Sequence, residues 1–536
     1  MKLTFCGAAR CVTGSCHMIT AKQGKILVDC GMRQGADAKG SLGEGNFPFN
    51  PKDINAVLVT HAHIDHTGLL PLLVKRGFSG PILCTTATEE LSTIMLPDSA
   101  GIQESDVEYQ SKKNLRAGKP AVEPLYTQED ADKALRLFHG VPYGKKVEIL
   151  PGIIAEFTDV GHLLGSAAIT LTVTEDDKTT TIVFSGDIGR AGRPILNDPQ
   201  TIPEADYLLL EGTYGDRDHN EPQNGGARAE LTAALKRAIA LKGNLIIPAF
   251  AIGRIQELLY HIKCLLKEGT VPGLESLPVY IDSPLAIEAT KVYEHSANGY
   301  YDEETAALAK NGSPFDFPGL RISKTADESK ALNTDPVPKI IISASGMCDA
   351  GRIRHHLKHN LYKQNACVLL TGYQAVGTLG RSLTDGAKSV KLLGETVSVK
   401  ANIINTEGFS GHAGKSELLA WAEAIPVKPR HIFLVHGEEE SLLSLQTALQ
   451  ADGYKVSIPA LFDEAELDGI DPAEPAENVL PMENTAASYE CLEQLDRIRN
   501  VVIRSEARRS PDMELMRSIL EADLKSLADK WDRIIL

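Results

Sequence analysis

Short apolar runs that end on small or polar residues recur along the chain, separated by stretches with a helical period. Lys25-Ile-Leu-Val-Asp29, Ala56-Val-Leu-Val-Thr60, Ala168-Ile-Thr-Leu-Thr-Val173 and Thr181-Ile-Val-Phe-Ser185 have the length and β-branched content of strands. Helical patterns intervene around residues 88–115 and 128–138. A second rhythm begins at Tyr207-Leu-Leu-Leu-Glu211. It continues through a helix over 227–242, a buried strand Asn244-Leu-Ile-Ile-Pro248 and a helix over 253–267. Val279-Tyr-Ile-Asp282, Lys339-Ile-Ile-Ile-Ser343 and Cys367-Val-Leu-Leu-Thr371 extend it. Alternating strand and helix predicts an α/β fold with a mostly parallel sheet. After residue 395 the earlier style returns, with Val397-Ser-Val-Lys-Ala-Asn-Ile-Ile404 and His431-Ile-Phe-Leu-Val435.

The tail reads differently. From Asp463 to Pro481 it is acidic and broken by Pro472 and Pro475, the pattern of a linker or a surface wrap. Ser510-Pro511-Asp512 then offers an N-cap, a first-turn proline and a first-turn acid. Leu520, Leu524, Leu527, Trp531 and Ile534 fall on one face of the helix that follows. Such a stripe is expected to dock on its own domain, with a homodimer contact as the alternative.

A length of 536 residues exceeds one ordinary core and predicts several domains or one fold with a large insertion. With 43% hydrophobic and 24% charged residues, a disordered or fibrous chain is excluded. No apolar run approaches the roughly 20 residues of a membrane span, and none follows the N-terminal Lys2 as a leader would, so a cytoplasmic protein with no membrane partner is expected. Nine cysteines without a CxxC pair point to neither a disulfide framework nor a thiolate zinc site. A net charge of −16 argues at first against a polyanionic partner. The charge is uneven, however. Residues 457–496 hold eleven acidic and no basic side chains and residues 497–536 sum to +2, which leaves −7 on residues 1–456. A local basic cleft is compatible with that figure.

The chemistry concentrates in His61-Ala-His63-Ile-Asp65-His66, directly after an apolar strand. Four potential ligands in six residues at a strand-to-helix turn cannot be buried without a partner. Imidazoles and carboxylates in a mixed set suit Zn²⁺, with Mn²⁺ or Fe²⁺ as alternatives, and the absence of thiolates favours a catalytic site over a closed structural one. Other strand ends offer Asp29 before Cys30-Gly31, His162 after Gly161, Asp187 after Gly186, and His436 before Gly437. Glycine there lets the backbone approach closely, so that ligands converge at one sheet edge.

His61, His63, Asp65, His66, His162, Asp187 and His436 resemble, in order, the metal-ligand motifs of the metallo-β-lactamase superfamily. That resemblance implies an αβ/βα sandwich with a dinuclear site holding two Zn²⁺ ions, Mn²⁺ being the alternative. It implies that His61, His63 and His162 hold one ion, that Asp65, His66 and His436 hold the other, and that Asp187 bridges them. Asp29 would orient ligands rather than bind metal.

A finer similarity is to the β-CASP branch of RNA-processing nucleases, among which are the mRNA 3′-end-processing endonuclease and ribonuclease J. It rests on Glu211-Gly-Thr-Tyr-Gly-Asp-Arg217, Pro248-Ala-Phe-Ala-Ile-Gly-Arg254, Ser345-Gly-Met347, Gly351-Arg-Ile-Arg-His-His356, Gly372-Tyr-Gln-Ala-Val-Gly-Thr-Leu-Gly-Arg381, Gly408-Phe-Ser-Gly-His412 and Leu434-Val-His-Gly-Glu438. Gly212 departs from the serine common there, which removes a hydroxyl but no inferred catalytic group. The implied plan is a metallo-β-lactamase domain over 1–208, completed by 395–460. A β-CASP domain is inserted at 209–394, and an acidic linker with C-terminal helices occupies 461–536.

The implied activity is hydrolysis of phosphodiester bonds in single-stranded RNA by a dizinc-activated hydroxide. Internal cleavage is favoured over 5′ exonuclease action, and the products carry 5′-phosphate and 3′-hydroxyl ends. His412 is the candidate general acid, oriented by Glu211, and Asp65 counts with them as catalytic besides being a metal ligand. Arg217, Arg254, Arg352, Arg354 and Arg381 are candidate phosphate contacts, and Ser345-Gly346 a candidate anion nest. His355 and His356 either line the cleft or pack. DNA-processing members typically carry Val in place of His436, which tilts the reading to RNA. A small-molecule hydrolase of the same fold would not need the inserted motifs.

Overall fold

The structure, a computed structural model, describes residues 1–34, 45–219, 226–296, 299–372, 374, 377–406, 408–468 and the strand Leu480–Pro481. Met1–Leu480 form one compact unit and Pro481–Leu536 a second. The prolines at 472 and 475 and the expected amphipathic helix over 510–534 lie outside the described residues.

Two sheets face each other in the first unit. One runs in the order Glu464–Glu466, Lys2–Phe5, His17–Ala21, Gly24–Val28, Ala56–Leu58, Ile82–Thr85, Phe138–Val141. It is antiparallel as far as Gly24–Val28 and parallel beyond. In the other, Val456–Ser457, His431–Val435, Tyr207–Glu211 and Lys178–Phe184 are parallel. Ala167–Glu175, Ile153–Asp159 and Val147–Leu150 then continue it antiparallel. Ile153, Ala155 and Phe157 are buried while their neighbours are half-exposed, the alternation expected of a strand with one face inward.

Phe5 meets Phe433 at 5.3 Å and His17 meets Phe184 at 6.3 Å between ring centroids, so these sheets pack face to face. Leu70, Leu73 and Ala131 from short helices cover the outer side of the first sheet. Leu418, Trp421, Leu442 and Leu445 cover the outer side of the second. Helix, sheet, sheet, helix is the αβ/βα sandwich.

The third sheet is entirely parallel, in the order Leu320–Ile322, Val279–Ile281, Ile340–Ser343, Leu245–Pro248, Cys367–Thr371, Asn402–Thr406. Leu245 and Ile247 pack against the helices Gly226–Leu241, Arg254–Glu268 and Pro284–His295. Ile246 packs on the opposite side, against Ile353 and Leu357. Apolar residues on both faces are what a parallel sheet between helix layers requires. The larger core also takes in Ala62, Ala87, Leu91, Leu163 and Leu164, so the insertion is welded to the sandwich beside His162 by continuous apolar packing.

Three sequence expectations change. Asn402–Thr406 pairs with Cys367–Thr371, so the inserted sheet runs past the boundary expected at 394; Ile403 and Ile404 pack into its two opposite cores. The acidic stretch begins as an edge strand rather than a linker, because Glu464–Glu466 pair with Lys2–Thr4 and Lys2 Nζ meets Glu464 Oε1 at 2.8 Å. The helix expected to reach 138 stops at Leu135, since Phe138–Val141 joins the first sheet.

Candidate metal centre

Every candidate ligand sits where a strand gives way to a turn. Ala56–Leu58 leads into His61, and His63 is the residue before the short helix Ile64–Thr67, which carries Asp65 and His66. His162 follows Ile153–Asp159 in a turn pinned by Ser166, whose Oγ accepts from the His162 and Leu163 N–H groups at 3.0 and 3.1 Å. Asp187 follows Lys178–Phe184, Glu211 ends its strand, and His436 follows His431–Val435. Asp29 and His436 adopt left-handed backbone, φ +62° and +50°, which these two residue types enter more readily than most.

These turns bring all seven predicted ligands together. His61 Nε2 lies 3.1 Å from His63 Nδ1, which lies 3.3 Å from His162 Nε2. On the other side, His66 Nε2 is 3.3 Å from His436 Nε2, which is 3.6 Å from Asp65 Oδ2. Asp187 stands between the groups. Its Oδ2 is 3.5 Å from His61 and 3.7 Å from His162, and its Oδ1 is 3.4 Å from His66 and 3.6 Å from His436. Each group, His61/His63/His162/Asp187 and Asp65/His66/His436, could hold a metal ion.

The fit of divalent ions can be judged from the donors themselves. Two atoms bound to one zinc at about 2.0–2.1 Å in tetrahedral geometry are roughly 3.3 Å apart, which is the spacing found. The outward ring nitrogens are engaged elsewhere. His66 Nδ1 is 2.7 Å from Asp29 Oδ2, His162 Nδ1 3.1 Å from Gly411 O and His61 Nδ1 3.1 Å from Thr60 Oγ1, while His436 Nδ1 lies between Thr213 Oγ1 at 3.2 Å and Asp187 Oδ1 at 3.6 Å. Anchoring Nδ1 in this way turns Nε2 inward as a lone-pair donor. Asp187 Oδ1 is buried without a hydrogen-bond donor, an orphan that a cation would satisfy. Burial holds His61 and His162 well below the usual imidazole range, the neutral form a ligand needs; at His66 and His436 burial acts in the same sense, but neighbouring carboxylates led by Asp187 outweigh it and raise both, so metal binding there would displace a proton.

A further pair adjoins the cluster. His412 Nδ1 lies 3.2 Å from Glu211 Oε2 and 3.9 Å from Asp187 Oδ2. Burial would lower the His412 pKa, but the Glu211 and Asp187 carboxylates reverse this and raise it to about 9. Glu211 is itself pinned by the Ile188 N–H, which donates to Oε1 at 2.6 Å. Asp29 also accepts from the Thr60 N–H at 2.8 Å and the Ser15 hydroxyl at 3.1 Å.

The predicted phosphate contacts fare unevenly. Arg352 is engaged within the protein: its Nη1 donates to Asp282 Oδ1 at 2.7 Å and to Ser323 O at 3.1 Å, and its Nη2 donates to Lys324 O at 2.8 Å. It ties three segments of the inserted domain together. His356 joins the same knot, 2.5 Å from Asp282, while His355 is exposed. Arg381 pairs with Asp385 one helical turn away at 2.9 Å, and Arg217 pairs with Asp216 at 2.6 Å and lies over the Tyr214 ring. Ser345-Gly346 follows the strand Ile340–Ser343, where a Gly346 side chain would meet the Phe250 ring at 3.1 Å. Arg354 lines a separate cavity with Asp349, Ser382 and Lys391. Arg254 is buried and shares Glu257 with Arg193, a residue the sequence reading passed over together with Arg190, Thr60 and Thr213. The signal for the two arginines was present, since both follow Asp187 in Asp-Ile-Gly-Arg190-Ala-Gly-Arg193.

The chain is similar in sequence to known proteins along most of its length. The metallo-beta-lactamase superfamily matches residues 9–249, the Beta-Casp domain residues 255–383, and the Zn-dependent metallo-hydrolase RNA specificity domain residues 396–459. The ribonuclease TTHA0252 of Thermus thermophilus is 37% identical over 458 residues, covering 85% of this chain and 98% of that one. The chain belongs to the β-CASP branch of the metallo-β-lactamase superfamily. Within that family it is also similar to an RNase J-like protein of Methanocaldococcus jannaschii, 32% identical over 82% of this chain and 94% of the relative. The transcription termination factor FttA of the same organism is 30% identical over 83% of this chain and 68% of its own length. No helix among the described residues is long and apolar enough to cross a membrane.

Proposed function

We propose that this β-CASP protein is a ribonuclease that hydrolyses internal phosphodiester bonds of single-stranded RNA with two divalent ions, zinc being the expected species. The observation that carries the reading is the placement of two ligand groups on opposite oxygens of Asp187, with an imidazole–carboxylate pair against the same residue. Ribonucleases among its relatives and a family match named for RNA specificity support RNA as substrate. His61, His63, His162 and Asp187 Oδ2 would hold one ion, and Asp65, His66, His436 and Asp187 Oδ1 the other. Divalent ions supply, when bound, a water acidic enough to ionise near pH 7 and positive charge for the phosphate oxygens.

The chain's own groups do the rest. Glu211 occupies the Nδ1 side of His412, so Nε2 is the atom that hands a proton to the leaving oxygen, and the carboxylate stabilises the imidazolium before transfer. Asp29 keeps the His66 proton on Nδ1, as Gly411 O does for His162.

The test is elemental analysis of zinc-loaded protein combined with cleavage of labelled single-stranded RNA, DNA and a thioester. Two ions per chain and internal cuts in RNA are expected, with both lost in Asp187→Asn. Cleavage of DNA or the thioester in preference to RNA, or full activity in the variant, defeats the proposal.

A further inference from the structure

Arg190, Arg193 and Arg254 meet at the seam between the sandwich and the inserted domain with too little negative charge among them. Arg193 Nη2 and Arg254 Nη1 both donate to the same oxygen of the buried Glu257, at 2.5 and 2.7 Å. Arg190 Nη1 donates to Gly408 O at 3.1 Å, and its nearest carboxylate, Glu417, is 4.0 Å away. His261, 4.0 Å from the other Glu257 oxygen, has its pKa lowered by burial and offers no negative charge to the arginines. Among the described residues, three guanidinium groups therefore face one close carboxylate, with Glu417 further off at 4.0 Å.

The donors are as unbalanced as the charge. Among the described residues, Arg193 Nη1, Arg254 Nη2 and Arg190 Nη2 have no acceptor, and the Nε atoms of all three are buried without one. The three unpaired Nε atoms are buried, whereas Arg190 and Arg193 keep 19% and 17% of their side chains exposed and their spare Nη donors are open to an anion.

The cluster lies beside the metal ligands. At Gly411 a Cβ would stand 3.1 Å from His162 Cε1 and 3.6 Å from Arg193 Nη1, so it is the lack of a side chain there that lets the ligand imidazole and the guanidinium nitrogen approach the same stretch of backbone. On the insertion side, a Gly253 Cβ would reach Leu163, the residue after His162, at 3.0 Å, which brings Arg254 alongside.

We propose that Arg193, with Arg190 and Arg254, forms a phosphate subsite that grips the RNA backbone linkage next to the scissile one, Glu257 holding two of the three forks in place. The assignment rests on the ribonuclease reading above. Arginine suits it because its planar fork can spend one N–H on Glu257 while presenting another to a phosphate oxygen. Arg193 touches the substrate, Glu257 acts through it as a positioning residue, and neither is a ligand of the metal cluster.

The test uses zinc-loaded full chain and single-stranded oligoribonucleotides carrying one uncharged methylphosphonate linkage, walked outward from the cleavage position on both sides. In the wild-type protein, one neutralised linkage beside the scissile bond should lower kcat/KM about tenfold or more, as expected for loss of a charge-assisted hydrogen bond. Arg193→Gln should show a similar loss on unmodified RNA, no further loss on that methylphosphonate, and a salt slope of log affinity shallower by about one. Arg193→Lys, which keeps the charge but loses the fork, should fall between. If Arg193→Gln melts early, Arg190→Gln is read in the same way, and the wild-type methylphosphonate walk stands without any variant. Penalties that add fully between variant and neutralised linkage, or a walk in which no flanking position matters, overturn the subsite while the ribonuclease reading survives. A zinc-loaded wild type that neither binds nor cuts RNA overturns both.

Discussion

Asp29→Asn isolates what one buried carboxylate does for a metal group it does not join. The side chain is 1% exposed and its φ of +62° suits Asn as well as Asp, so the exchange alters charge and hydrogen-bond polarity without new backbone strain. Oδ1 accepts from the Thr60 N–H at 2.8 Å, while Oδ2 faces His66 Nδ1 at 2.7 Å and the Ser15 hydroxyl at 3.1 Å. An amide has only one accepting oxygen. With that oxygen towards Thr60, an N–H points at His66 Nδ1 and drives the imidazole proton to Nε2, the nitrogen 3.3 Å from His436 and 3.4 Å from Asp187. A protonated Nε2 cannot bind a metal. With the amide reversed, the buried Thr60 N–H loses its acceptor, at about 1–3 kcal/mol of stability.

The first orientation removes a ligand from the Asp65/His66/His436 group, and the second keeps the tautomer but gives His66 a neutral acceptor weaker than the carboxylate. The expected loss is about 10–100-fold in metal affinity, or roughly 1.4–2.7 kcal/mol, with the His61/His63/His162 group near its wild-type affinity. Zinc titration against a chromogenic chelator at fixed pH resolves the two steps, and thermal melting of the metal-free protein separates lost affinity from lost stability. A folded Asp29→Asn variant that binds both ions as tightly as wild type refutes the tautomer argument.

Glu211→Gln removes the charge that, with Asp187, holds the His412 pKa at about 9 against the opposing effect of burial. His412 is protonated below that value, so kcat/KM should persist through neutral pH and decline as pH rises past it. In the variant the declining limb should move down by about one to two pH units with metal content unchanged, and a limb that stays in place contradicts the assignment. Asp282→Ala should destabilise the protein by about 3–5 kcal/mol by stranding Arg352, measured by chemical denaturation. Burial would raise the Asp282 pKa, but hydrogen bonds from His356, Ser329 and Arg352 outweigh it and bring it to about 2. Its contribution is therefore complete above the unfolded carboxylate's pKa of about 3.9 and lost as pH falls through about 2, a dependence the variant should lack. Arg352→Gln should lose stability yet, in its folded fraction, bind RNA as wild type does; weakened binding in a fully stable variant would restore Arg352 as a phosphate contact.

Much of the chemistry was legible from local pattern. His61-Ala-His63-Ile-Asp65-His66 packs four donors into one turn, and a turn cannot bury them without a cation, so proximity in the chain sufficed. The parallel inserted sheet was visible for a similar reason, since strands such as Ile340–Ser343 are apolar on both faces and only a covered sheet accepts that. Tertiary structure decided the matters that depend on distant partners. Whether an arginine is a phosphate contact or a structural tie rests on which carboxylate the fold brings to it. Arg352 finds Asp282 some seventy positions earlier, whereas Arg193 must share Glu257 and keeps a donor free. The length of a sheet is likewise set by pairing, which carried Asn402–Thr406 past the boundary suggested by composition and drew the acidic Glu464–Glu466 onto the edge beside Lys2. Sequence specifies a residue's own chemistry and its near neighbours; the fold alone supplies the opposing charge and the burial that decide how strongly that chemistry is expressed.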